Sequence, residues 1–380
     1  MSKTKIPEKV KINLWVKASG RCEYGGCNDR LWEDSLTLAK MNAAYIAHII
    51  ADSPNGPRGH EILSAKLATD ISNLMLMCDK HHRLIDKEDV EGHPVERLLK
   101  MKNKHEVRIE MVTSIKEDMK SHVLLYGANI GDHSSIITWN NTTTAMLPDK
   151  YPVENPAIEI SLGNSPFQDD QPMYWTIENE QLKSQFKDKV KRKLELGDNK
   201  HISVFALAPQ PLLILLGTLI SDIYPADVYQ LHREPTTWKW QDEPDDFGYK
   251  VIEPPVIHKN IALNLSLSAT IDNSRITYVL GEDTSIWTIT IPSPYRDFLK
   301  GKNQLSKFRV LMRELFNKIK LTHGEDRVIH IFPATSVSTA VELGRVWMPK
   351  ADLPLSLYDE NKKNGGFQYT FSIGDSSPQK

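Results

Sequence analysis

Hydrophobic and polar positions follow two rhythms along this chain, one before and one after about residue 135. In residues 7–18, Val10, Leu14 and Val16 or Lys17 fall at near-helical spacing and Gly20 stops the run, which predicts a helix. Residues 43–51 are short and apolar and predict a strand with His48 at its end. Ser53-Pro-Asn-Gly-Pro-Arg-Gly59 is dense in turn formers and predicts a loop. Its glycines would allow another chain's backbone to come close, and Arg58 could grip a phosphate. The segment 68–86 then reads as loop and helix. From Pro94 to Lys120 a stripe of Leu98, Met101, His105, Ile109, Val112 and Ile115 predicts one long charged helix, with Pro94 in its first turn. Gly127-Ala-Asn-Ile-Gly-Asp-His-Ser-Ser135 reads as a junction.

After the junction, strand-like runs alternate with helix-like ones. Strands are predicted at Ile202–Ala206, Val228–Leu231, Ile261–Leu267, Ile286–Ile291 and Val328–Phe332, and helices at Pro211–Ile220, Arg296–Lys320 and Val337–Val346. This alternation implies an α/β domain with mostly parallel strands. It also contains a weak repeat. Phe205-Ala-Leu-Ala208-Pro209-Gln210-Pro211 running on to Leu216-Gly217 resembles Ile331-Phe332-Pro333-Ala334-Thr-Ser336 running on to Leu343-Gly344. Each copy is a strand, a small-residue turn and a helix, so two similar halves are expected to pack together. Such a turn either simply packs or offers a helix N-terminus to an anion, and two of them would suit a ligand with two phosphates. Between the copies, His232-Arg233-Glu-Pro-Thr-Thr-Trp238-Lys-Trp240 places both tryptophans on one face if extended. They either stack a purine beside Arg233 or fill a half-buried strand. Trp175 and Trp139 are weaker aromatic candidates.

Composition narrows the classes. A chain of 380 residues, 40% hydrophobic and 25% charged, fits two or three globular domains. The net charge of −2 supplies no global basic field, so any nucleic-acid contact must concentrate charge locally, as Arg58, Lys80, Arg83 and Lys87 could. The first residues have no apolar core, and the run from Pro211 to Ile220 is too short to span a bilayer. Three unpaired cysteines suit a reducing interior, so a cytoplasmic location and no membrane partner are expected.

All three cysteines lie between residues 22 and 78. Cys22-Glu-Tyr-Gly-Gly-Cys27 is a glycine-bearing knuckle, and Cys78-Asp-Lys-His81 is a Cys-x-x-His step after an apolar run. Two such pairs supply four N/S ligands, a closed tetrahedral set for structural zinc. His48, Asn73 and His82 are interleaved with these ligands. That order resembles the HNH nuclease motif, the ββα-metal fold. The resemblance implies that His48 is general base for a water, that Asn73 orients it, and that His82 holds Mg²⁺ or a similar divalent ion on the scissile phosphate. The chemistry agrees, because phosphodiester hydrolysis needs a base near neutrality and a cation on the phosphate. Where family members often carry an acidic metal ligand, this chain has Ala47, so the second ligand is open between Asp52 and His48.

In the later half, Phe-Ala-Leu-Ala-Pro-Gln-Pro, Gln-Leu-His-Arg with Trp-Lys-Trp, and Ile-Phe-Pro-Ala with Glu-Leu-Gly-Arg together resemble a SAVED domain, built as two fused CARF-like halves. An α+β HNH domain over residues 1–125 and an α/β SAVED domain over 135–380 resemble one effector class of CBASS, a bacterial anti-phage system. The resemblance implies an endonuclease that degrades double-stranded DNA. It would be activated by a cyclic dinucleotide of the cyclic GMP–AMP type, made by a partner nucleotidyltransferase. It further implies a homo-oligomer, a dimer that grows on activation. The implied nucleotide contacts are Ala208, Pro209, Gln210, Pro211, Arg233, Trp238, Trp240, Phe332, Pro333, Ala334, Ser336 and Trp175, and the implied DNA contacts are Arg58, Lys80 and Arg83. Two other functions fit the same residues. One is a restriction-like nuclease whose C-terminal domain reads modified DNA. The other is a non-cutting, zinc-stabilised nucleotide sensor.

Overall fold

The computed structural model describes residues 4–34, 36–130, 137–161, 167–361 and 365–374. The chain divides into two compact units, 1–116 and 117–380. The first holds α1 (Glu8–Lys17), β1 (Ala44–His48), α2 (Leu63–Leu67), β2 (Leu74–Cys78), α3 (Asp79–Arg83), a π-turn at Leu84–Glu88, and α4 (Val95–Thr113). β1 and β2 pair antiparallel, with Ala44 opposite Cys78 and His48 opposite Leu74. The Leu-Met-Leu-Met run of β2 is buried on both faces, which explains its unbroken apolar sequence. On α1 the buried side chain is Leu14, while Val16 points outward. The inward stripe is therefore Val10, Leu14 and Ala18.

α4 ends seven residues before Lys120. The expected long helix is thus corrected: Lys120 opens a strand, β3 (Lys120–Gly127), whose residues Ser121–Tyr126 are all buried. Ile115 continues the helical stripe past the end of α4, so the pattern does not mark the stop. β3 is a central strand of the second unit, which begins before the 135 expected. Residues 131–135 of the expected junction lie outside the described residues.

The second unit continues with α5 (Trp139–Met146), β4 (Tyr151–Pro152), β5 (Ile158–Ser161), α6 (Pro172–Gln185), α7 (Arg192–Leu196), β6 (Ile202–Leu207), α8 (Gln210–Ile220) and β7 (Ala226–Val228). Then come a small hairpin, β8 (His232–Arg233) with β9 (Thr236–Thr237), and β10 (Lys250–Ile252), β11 (Asn260–Ser266), α9 (Asn273–Leu280) and β12 (Thr284–Thr290). The last elements are α10 (Lys302–His323), β13 (Ile329–Ala334), α11 (Val337–Val346), β14 (Leu355–Asn361) and β15 (Gly366–Ile373). One sheet runs β4-β3-β6-β7, with β5 also on β3, and is parallel throughout. The other runs β10-β12-β11-β13-β14-β15, parallel except at its two outer pairs. α10 starts at Lys302 rather than Arg296, because Gln304 folds back to accept from the Gly301 N–H and ends the preceding turn there.

The two copies of the sequence repeat are β6–α8 and β13–α11, one from each sheet. Their helices pack against each other reciprocally. A Cβ on Gly217 would run into the Val341 carbonyl, and one on Gly344 into the Ile214 carbonyl. Each Leu-Gly step therefore exists so that the partner helix's backbone can come into contact. Among the described residues, no helix is long and apolar enough to cross a membrane.

Candidate functional site

In the first unit the knuckle and the Cys-x-x-His step come together. The ligand atoms of Cys22, Cys27, Cys78 and His81 all lie within 4.8 Å of one another. His81 Nδ1 is 3.2 Å from Cys78 Sγ and 3.7 Å from Cys22 Sγ. Zn–S and Zn–N bonds of about 2.3 and 2.0 Å at a tetrahedral angle require roughly 3.5 Å between such ligands, so the residues fit that ion. Local structure sets the positions. The Cys27 N–H reaches the Tyr24 carbonyl at 3.0 Å, and Gly26 turns the chain at φ +87. The Glu23 N–H bonds Leu76 O at 2.9 Å and its carboxylate accepts from Leu76 N at 2.5 Å, which pins the knuckle to β2. Tyr24 lies flat on the His81 ring at 4.1 Å and bonds His93 at 2.9 Å. Burial pushes the Cys22 thiol up to about 11, raises Cys27 too, and lowers His81. A bound cation would reverse the thiol shifts by favouring thiolate.

His48 ends β1 and is buried. Its Nε2 sits 2.9 Å from the Ala68 carbonyl. A carbonyl only accepts, so Nε2 carries the hydrogen and Nδ1 keeps the basic lone pair. Asn73, buried just before β2, does not grip that ring. Its Oδ1 accepts from Ile50 N at 2.8 Å, and its Nδ2 donates to Ile50 O at 2.8 Å and Leu67 O at 3.2 Å. Asn73 thus orients the backbone that follows His48, a correction to the direct role expected. His82, on α3, stacks against Tyr45 of β1 at 5.0 Å. Burial lowers its pKa against the pull of Asp86. The carboxylate beside it is Asp86, with Oδ2 3.4 Å from Nε2. Asp52, one of the two candidates the sequence left open, accepts from Thr4 N at 3.2 Å.

Arg58 is also corrected. Its guanidinium faces inward, with Nε to Ile49 O at 2.7 Å, Nη1 to Ile85 O at 2.6 Å, and Nη2 to Asp86 Oδ1 at 2.7 Å and His48 O at 3.3 Å. It therefore offers nothing to an outside phosphate. The loop glycines likewise serve the loop itself. A Cβ on Gly59 would strike the Pro54 carbonyl and one on Gly56 the Ala51 side chain. Lys80 and Arg83 remain exposed on α3, Arg83 3.8 Å from Asp79.

In the second unit the two repeat turns meet. Gln210 Nε2 donates to Thr335 O and Gln210 Oε1 accepts from Thr335 N, both at 3.2 Å, so the N-termini of α8 and α11 stand side by side. Ala208, Pro209 and Pro211 are buried around this turn, as are Pro333 and Ser336, and Ser336 caps α11 by accepting from Thr339 N. Ala334 is half-buried at the end of β13. Gln230 accepts from Ser338 N at 3.2 Å and Ser338 Oγ at 2.8 Å, a contact the sequence did not point to. Three rings among the implied nucleotide contacts belong to the core instead. Trp238 packs edge-on against Phe205 at 5.2 Å, Trp175 against Tyr174 at 5.1 Å, and Phe332 stacks on Tyr358 at 4.5 Å. Trp240 is half-buried between Tyr229 and His232, and Arg233 is exposed on its hairpin. Asp86 had no motif of its own, and Gln230 stood in the Gln-Leu-His-Arg motif without being singled out.

Comparison with known proteins bears on the second unit. Residues 182–373 match the model of the SMODS-associated and fused to various effectors sensor domain, SAVED. No curated protein matches the sequence. Among solved structures, the Acinetobacter baumannii Cap4 SAVED/CARF-domain containing receptor with the cyclic trinucleotide 2'3'3'-cAAA is 11% identical with a TM-score of 0.41, over 82% of this chain and 62% of that one. The same receptor with 3'3'3'-cAAA is 12% identical with a TM-score of 0.42, over 77% and 66%. The Moraxella osloensis Cap4 receptor is 10% identical with a TM-score of 0.36, over 75% and 63%. This chain thus spans less than two thirds of the length of those receptors. The match over half its residues carries the assignment: the chain belongs to the SAVED family of sensor domains.

Proposed function

We propose that this chain is a ligand-gated DNA endonuclease of the CBASS type, in which the SAVED unit senses a cyclic dinucleotide and the HNH-like first unit cuts double-stranded DNA. The observation that carries the reading is the arrangement of the first unit. A strand ends in a histidine with a free basic nitrogen, an asparagine fixes the following backbone, and a helix after the second strand presents His82 beside Asp86. His48 Nδ1 takes the proton of the attacking water. His82 and Asp86 form an N,O pair suited to Mg²⁺ or Mn²⁺, and a divalent ion held there supplies charge neutralisation at the phosphate. Cys22, Cys27, Cys78 and His81 would hold zinc and keep the unit folded.

In the sensor, the two helix N-termini joined through Gln210 favour two phosphates. A cyclic dinucleotide of the GMP–AMP type, from a partner nucleotidyltransferase, matches that number, and assembly of a homo-oligomer is the proposed output. The test is plasmid degradation with Mg²⁺ or Mn²⁺ across a panel of cyclic di- and trinucleotides. One nucleotide should switch cleavage on, and His48→Ala should abolish it while zinc content and nucleotide affinity stay unchanged. Intact plasmid under every nucleotide, or full activity in the variant, overturns the reading.

A further inference from the structure

Arg58 lies at the centre of the first unit without belonging to any expected catalytic set. Its side chain is only 6% exposed. On one side it holds the carbonyls of His48 and Ile49, where β1 ends, and on the other the carbonyl of Ile85 and the carboxylate of Asp86, below His82. No direct hydrogen bond joins the His48 and His82 side chains among the described residues, and this guanidinium bridges the segments that carry them. The residue also sits at φ 56, a left-handed conformation that suits glycine. A tight loop holds it there, closed by the Ala51 N–H on Pro57 O at 3.2 Å.

We infer that Arg58 is the positioning residue that joins the two halves of the candidate nuclease centre, fixing the strand end that carries His48 in register with the helix that carries His82 and Asp86. The planar fork is what the task requires. Lysine offers a point charge and cannot reach four acceptors on two segments at once. The catalytic consequence rests on the nuclease reading above; the coupling itself does not.

The test uses the full chain with Arg58→Lys, Arg58→Gly, Asp86→Asn and the double variant Arg58→Gly/Asp86→Asn. Glycine removes the fork while easing the backbone, so a fold lost to strain is not confused with a lost connection. Zinc content close to wild type establishes that the unit is folded. Cleavage at saturating Mn²⁺ should fall roughly 100-fold in either Arg58 variant, the scale set by small misplacements of catalytic groups. Half-saturating Mn²⁺ should rise, and the double variant should be no worse than Asp86→Asn. Hydrogen exchange supplies a readout that needs no activity: in Arg58→Gly, the amides of Ile49–Ala51 and of Ile85–Asp86 should open together. Wild-type cleavage with zinc retained, losses that multiply in the double variant, or exchange confined to one segment each overturn the inference. If wild type cuts no DNA with any nucleotide, the nuclease reading fails, and the exchange experiment still decides the coupling.

Discussion

A side-chain amide can donate and accept at once, and Asn73 uses both abilities on a single residue, Ile50. Asn73→Asp should therefore cost more than a change of charge suggests, since a carboxylate would face the Ile50 carbonyl. The expected loss is roughly 1–3 kcal/mol in urea melting of the first unit, and on the proposed reading cleavage should fall in parallel. Cysteine chemistry at this scale gives a second prediction. On the reading that Cys22, Cys27, Cys78 and His81 hold zinc, Cys78→Ser or a strong chelator should remove it and melt the first unit while the unfolding of the second is unchanged. The four donors were legible because cysteine is scarce and the spacing of the two pairs is restrictive. Arg58 was misread because a sequence displays a charge without its direction. Trp238, Trp175 and Phe332 were misread because aromatic residues serve a core as readily as a ligand. Asp86 was missed because a lone aspartate four residues after a histidine looks like any exposed helix position.

Elements were most legible where the period was clear and the ends were marked. α11 runs from Val337 to Val346 as the pattern predicts. β3 passed unread between the expected helix and the expected junction because its buried run lacks a period, and β14–β15 passed unread as well. The crossing of α8 and α11 shows what the repeat was for. Gly217→Ala and Gly344→Ala should each destabilise the second unit by roughly 1–3 kcal/mol, although alanine is the better helix former by about 1 kcal/mol. Urea melting decides it: an unchanged midpoint would mean the helices can move apart freely.

For the molecule as a whole, buried groups of the sensor unit respond to acid in opposite senses: burial pushes the Asp359 carboxyl up to about 7 and raises Glu342, which favours the fold as pH falls, while the buried histidines lose stability. Burial, opposed by Asp227, pushes the His201 pKa down from 6.5 to about 4, and burial lowers His232, His323 and His330 as well. A histidine held neutral in the fold binds fewer protons than in the unfolded chain. Its stabilisation is therefore complete above 6.5 and lost as the pH falls toward 4, up to roughly 3 kcal/mol for His201. The difference between wild type and His201→Asn in melts at pH 7 and 4.5 should show this slope, with the variant losing less stability in acid. On the proposed reading, the free protein is inert, and the activating nucleotide raises particle size and cleavage together, as light scattering run beside the plasmid assay would record. A ligand achieves that only by binding the active assembly more tightly, by about 10⁴-fold for a near-complete switch.

The shared amide of Gln210 bears on what such a receptor ignores. If a ligand displaces this amide, a compound that reaches only one of the two turns gives up both bonds to Thr335 and replaces just one of them. On the proposed reading, single-phosphate compounds would then be turned away by the arithmetic of bonds broken against bonds made.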